Sequence, residues 1–167
     1  MSVSRPTRVE IDLAALRHNF QEARRTVGAD CDVLAVVKAD AYGHGVSGVA
    51  PALADAGANL FGVALVEEGV ALRQLGIKQP IVVLGGGFPG QETDILACQL
   101  TPVLYDLTYA RRLAVAARDA GQTVDYHLKV DTGMGRLGFR VELLDEILPV
   151  LKALQGLNMS GFMSHLA

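Results

Sequence analysis

The sequence predicts an α/β fold on a parallel sheet, of the (β/α)8-barrel type, and three observations carry that expectation. Six short runs are apolar on both faces: 33–38, 60–65, 80–85, 101–105, 124–130 and 159–165. Helical patterns lie between and beside them, at 46–57, 66–75, 90–99, 107–120 and 142–155. Polar residues gather just after the ends of several runs: Lys38 to His44, Glu67 and Glu68, glycines 85–87, Lys129 to Arg136, and His165. Strands apolar on both faces and separated by helices belong to parallel sheets with helical crossovers. A doubly wound open sheet shares that rhythm but concentrates its ligand at one switch crevice. Chemistry contributed from many strand ends to one face is the habit of the barrel.

Closure needs eight strands and typically ~250 residues. Six runs in 167 residues, ending at "GFMSHLA", lead to the expectation of an incomplete barrel and of a longer parent protein. Half of the residues are hydrophobic, 20% are charged, and the formal charge is −3, enough apolar content for one core. Lysines and arginines are scattered, which argues against a nucleic-acid partner. No apolar segment reaches the ~18–20 residues of a membrane helix. The opening "MSVSRPTRVEIDL" lacks the apolar core of a secretory signal, so a cytoplasmic location is expected. Cys31 and Cys98 have no zinc or redox spacing and read as buried or incidental thiols; no metal is expected.

Taken in order, residues 1–11 form an N-terminal segment and residues 12–167 the barrel portion, with the alternating stretch "RVEID" at their junction. Asp12 stands at a helix N-cap, with Leu13, Leu16, Phe20 and Ala23 on one face of the helix that follows. The first apolar strand ends in Lys38, followed by "ADAYGHG". A lysine in that place is either an amine snorkelling to water or one whose pKa desolvation lowers, freeing its lone pair for Schiff-base formation. Ala39 and Ala41 leave space for a flat ligand, Tyr42 offers a phenol to an anion, and Gly43 and Gly45 permit a tight turn before the next helix. Glu67 and Glu68 open a helix, where acids favour the dipole.

The "GGGFPG" of residues 85–90 lacks the lysine and Ser/Thr of a nucleotide loop and reads as a mobile connection. His18 reads as solvated or at the core edge, and His127, alternating within a strand, as structural. Lys129 stands next to the last residue of the fifth run, either paired to Asp131 or another acid or available for chemistry. Arg136 follows in a loop with Gly133, Gly135 and Gly138; it is either a surface arginine or a forked cation for a carboxylate.

The stretch "AVVKADAYGHG", with "RVEIDLAALRHNF", "KVDTGMGRLGF" and "GFMSHLA", resembles the alanine racemases across the whole chain. A generic barrel that binds the same cofactor would share the lysine at a strand end, but not "KADAYGHG" followed by "KVDTGMGRLG". The resemblance implies pyridoxal phosphate as cofactor and interconversion of L- and D-alanine, supplying D-alanine for the cell wall. It implies that Lys38 holds the cofactor as a Schiff base and later serves the D-enantiomer as one of two acid–base groups at Cα. Tyr42 then contacts the cofactor phosphate, Arg136 the phenolic oxygen and substrate carboxylate, and Leu84 and His165 line the cofactor ring.

By the same resemblance Lys129 matches a lysine carbamylated in many members, whose carbamate holds that arginine. The resemblance further implies a head-to-tail homodimer. In it, residues 1–11 pack with a C-terminal β domain, and the second acid–base group, a tyrosine, comes from that domain of the partner subunit. These 167 residues alone are therefore expected to be inactive. Three alternatives stay open: a non-catalytic barrel that stores the cofactor, a racemase for another amino acid such as serine, and a structural piece completed by a second chain.

Overall fold

The computed structural model describes residues 7–167, so residues 1–6 of the N-terminal segment lie outside the described residues. Thr7 to Asp12 adopt no regular secondary structure. Helix α1 (Leu13–Val27) starts where the Asp12 carboxylate accepts the Ala14 and Ala15 N–H groups at 2.8 and 3.0 Å. These are two of the four donors that a helix start leaves without internal partners. Leu13, Leu16 and Phe20 turn toward the core, whereas Ala23 is exposed.

From there the chain alternates. In order come β1 (Leu34–Val36), a short turn α2 (Lys38–Tyr42), α3 (Val46–Asp55), β2 (Leu60–Val63), α4 (Val66–Gln74), β3 (Ile81–Val83) and α5 (Glu92–Ala97). Next come β4 (Thr101–Leu104), α6 (Leu107–Asp119), β5 (Val124–Asp131), β6 (Phe139–Arg140), a 3-10 turn at Val141–Leu143, α7 (Leu144–Ala153) and β7 (Leu157–Met163). Every strand pairing is parallel. The ladder runs β1-β2-β3-β4-β5 in chain order, and β7 then pairs along β5. A doubly wound sheet reverses its strand order at a switch point. No reversal occurs here, so the sheet winds one way, as in a barrel, and it forms an open arc in which β1 and β7 are not paired.

The core lies between this sheet and its helices. Phe61, Val63, Ile81, Val83, Leu104 and Leu128 are wholly buried on the strands, with Leu72, Ile95 and Leu113 from the helices. At the end of the sheet opposite the polar cluster, Arg73 fastens the loops. Its guanidinium donates to the carbonyls of Cys98, Ile77, Gln79 and Gln99 at 2.7–3.1 Å. That division, loops fastened at one end and the polar cluster at the other, suits a barrel.

The structure departs from the sequence expectations in several places. It has seven strands, because two residues after Gly138 pair with the end of β5 as Val130↔Phe139 and Asp131↔Arg140. The helix expected over 90–99 contracts to Glu92–Ala97, flanked by the positive φ of Gly90 (93°) and Gln99 (48°). The last strand is Leu157–Met163, which leaves His165 beyond its end. Cys31 is exposed, which leaves the incidental thiol of the two readings given for it. Ala41 faces the core at 5% exposure, so its small side chain serves packing beneath the turn instead of leaving room for a ligand.

Candidate active site

Because the strands are parallel and in order, their C-terminal ends share one rim. Lys38 lies just past the end of β1, Glu68 is in the first turn of the helix after β2, Leu84 follows β3, Lys129 stands near the end of β5 and His165 lies beyond β7. The Val37 N–H donates to Gly62 O at 2.8 Å, which extends the β1–β2 ladder to the residue before Lys38. Lys38 is half-buried, and its Nζ lies 5.9 Å from the centroid of the Tyr42 ring, which is itself 60% exposed.

The chain between these two residues is unusual. Ala39, Asp40, Ala41 and Tyr42 have φ of 51°, 53°, 53° and 55°, one turn of left-handed helix without a glycine in it. Each such L-residue costs roughly 1–2 kcal/mol. Gly43 and Gly45, at 81° and 84°, close the turn as their sequence positions led one to expect. The strain is held by local bonds: Ala41 N–H to Val37 O at 2.9 Å, Gly45 N–H to Asp40 O at 3.0 Å, and Val46 N–H to Asp40 Oδ1 at 2.7 Å. The His44 Nδ1 lies 2.9 Å from Ala41 O, and since a carbonyl only accepts, that nitrogen carries the proton. The Glu68 carboxylate adds a tie to the neighbouring strand, accepting from Ala39 N at 2.6 Å and from Ala64 N at 2.7 Å.

A second group assembles at the ends of β5 and β7. Lys129, Arg136 and His165 line one small cleft with Asp131, Met134 and Leu137. Lys129 is 9% exposed, the one charged side chain buried among the described residues, and the ion pairs among those residues do not include it. Burial first, then the Arg136 guanidinium, push its amine below the ordinary lysine range, with Asp131 opposing. Arg136 and His165 are exposed at the rim. The Asp131 carboxylate accepts the N–H groups of Gly133 and Gly135, both at 3.0 Å, and shapes the loop that carries Arg136. Those backbone donors, Gly135 then Gly133, hold its carboxyl below the usual carboxylate range.

Leu84 sits half-buried at the β3 tip, its N–H donating to Val63 O at 2.8 Å. The glycines after it are held rather than loose: the Tyr105 hydroxyl donates to Gly85 O at 2.7 Å, and a Cβ on Gly85 would meet Ala64 O at 2.5 Å. His127 is half-buried and packs its ring against Gly161, where a side chain would collide with it. Burial lowers its pKa against the pull of Asp125, consistent with a structural role. The structure thus brings together Lys38 with Tyr42, and Lys129 with Arg136 and His165, and sets Leu84 just past the end of β3, a strand between the two groups. Glu68, Asp131, Asp40 and His44 are the site residues that sequence reasoning missed or read as bland. A glutamate at the third position of a helix following a strand was the available signal for Glu68.

The family model for the alanine racemase N-terminal domain matches residues 11–167. The chain belongs to the alanine racemase N-terminal domain family. An alanine racemase of Geobacter sulfurreducens is 46% identical over 164 residues, which are 98% of this chain and 43% of that protein. The Clostridium difficile 630 alanine racemase in complex with cycloserine superimposes with a TM-score of 0.92 at 34% identity, covering 99% of this chain and 46% of that one.

The Bartonella henselae alanine racemase, with covalently bound pyridoxal phosphate, gives 0.84 at 29% identity, covering 94% and 44%. A histidine racemase of Leuconostoc mesenteroides gives 0.86 at 31% identity, covering 93% and 42%. The chain therefore spans under half the length of the relatives it matches. Among the described residues no helix is long and apolar enough to cross a membrane.

Proposed function

We propose that this alanine racemase domain belongs to a pyridoxal-phosphate-dependent enzyme that interconverts L- and D-alanine, acting in the cytoplasm as a homodimer. The observation that carries the reading is Lys38: a half-buried amine at the tip of the first strand, beside a phenol, on a strained turn tied to the next strand. The donor set fits an anionic aldehyde. A primary amine, the Tyr42 phenol, a guanidinium and an imidazole share one rim, and Glu68, the acid behind Lys38, is occupied by backbone N–H groups. When bound, the cofactor supplies the electron sink that lets a proton leave the amino acid's Cα.

The residues divide the work. Lys38 would hold the cofactor through Nζ, and once released takes and returns the proton at one face of Cα. Tyr42 would donate its hydroxyl to the cofactor's phosphate. Arg136 would fork its planar guanidinium onto the substrate carboxylate. Leu84 and His165 would line the cofactor ring. Lys129, with a depressed amine beside Arg136, takes up carbon dioxide: its lone pair bonds the carbon, a proton leaves nitrogen, and the resulting carbamate faces the guanidinium. The histidine racemase at 31% identity favours a second reading in which the same domain serves another amino acid.

Borohydride reduction of the complete gene product with pyridoxal phosphate, followed by peptide mapping, tests the central claim. A pyridoxyl tag is expected on Lys38 and is expected to vanish in Lys38→Ala. A tag confined to another lysine overturns the assignment. Turnover of an L-amino-acid panel by the same sample separates the two substrate readings, with alanine expected to lead.

A further inference from the structure

We propose that Glu68 is a positioning residue for Lys38, resting on the reading of Lys38 given above. Its carboxylate serves two masters. Oε2 accepts the N–H groups of Ala64 and Leu65 at 2.7 and 3.0 Å, a bond set that an acid at this helix position makes to its own N-terminus. Oε1 accepts the Ala39 N–H at 2.6 Å, from a residue 29 positions earlier in the turn that follows the neighbouring strand. Capping needs only the first set.

The Ala39 N–H lies on the peptide plane that joins Lys38 to the left-handed turn, and Ala39 is the first of four residues with positive φ. Such residues persist only where the surroundings over-determine them. The bonds from Ala41, Gly45 and Val46 close the turn on itself and on the helix after it. The Glu68 bond is the side-chain tie that fastens its first residue to the β2 end. With Val37 already laddered to Gly62, the backbone is clamped on both sides of Lys38, and the amine is aimed by a rigid base. A carboxylate suits the task because both oxygens accept, and bonds to an ionised acceptor are about twice as strong as neutral ones. Glutamine keeps the length but sets an NH2 against one of the N–H groups.

The test compares the complete gene product with its Glu68→Gln variant. Lys38 is tagged by pyridoxal phosphate and borohydride. In cofactor-free samples it is methylated with formaldehyde and cyanoborohydride, with the exposed Lys78 and Lys152 as references in the same digest. In the variant, tagging and methylation of Lys38 relative to those references are expected to change by about tenfold or more, the penalty of a small misplacement. A purely structural loss would lower Tm and shift all three lysines alike, and that result overturns the proposal.

A wild type tagged at Lys38 with a variant tagged equally fast overturns Glu68 alone. A wild type with no tag at Lys38 overturns the reading of Lys38 and this inference with it. Should the variant fail to fold, amide exchange in the wild type decides. Ala39, although exposed, is expected to exchange at least about a hundredfold more slowly than a free amide. Unprotected exchange there overturns the proposal.

Discussion

At the scale of single residues the electrostatic tension sits on Lys129. Its amine is buried, faces a guanidinium and is pushed below 10.5. The folded state thus holds this proton less tightly than the unfolded chain does. The cost to stability is present at every pH below the folded value, and stability climbs with pH until the unfolded lysine also titrates near 10.5. Lys129→Met should therefore unfold at higher urea concentration than wild type at pH 7, with the gap shrinking as pH approaches 10.5. Bicarbonate should stabilise the wild type and leave the variant unmoved. A variant less stable at pH 7, or a gap independent of pH, refutes the account. Lys38 and Arg136 were legible in the sequence because a charge directly follows an apolar run or sits among glycines. Glu68 was not, since its decisive partner is an N–H brought near only by parallel pairing of β1 with β2.

At the scale of elements, the six strands other than β6 and the helices between them were legible because the alternation of apolar runs with helical periods leaves a pattern over many residues. Two elements left none. The left-handed turn of Ala39–Tyr42 contains no glycine, and β6 has two residues, too few for any period. What makes β6 possible is Gly138, at φ 139°, whose absent Cβ would collide with Asp131 N and lie 2.6 Å from Val130 C. Gly138→Ala should cost roughly 3 kcal/mol in urea unfolding, the sum of backbone strain and overpacking. Gly135→Ala, at φ 70° with open space around it, should cost only about 1 kcal/mol. Equal costs would show that the close approach of the two strands does not set the loop that carries Arg136.

At the scale of the whole molecule, the sheet is an arc with its reactive rim exposed along one side. Lys38 lies at the β1 end and His165 beyond β7, while Phe162 and Met159 on β7 are 62% and 43% exposed. Racemisation requires a proton removed from one face of Cα and one returned on the other, so two groups must flank a flat electron sink. Lys38 is one group. By the family resemblance the second is a tyrosine outside these 167 residues, and the chain spans 43% of its Geobacter relative. The 167-residue chain, mixed with pyridoxal phosphate and L-alanine, is thus expected to form no D-alanine above the level given by free cofactor. Chiral chromatography of the alanine checks this, with Lys38→Ala as the matched control. Sustained turnover that depends on Lys38 would mean that both faces of Cα are served from within this arc. The search for the second proton carrier would then narrow to the titratable side chains on its rim, Tyr42 and His165 first among them.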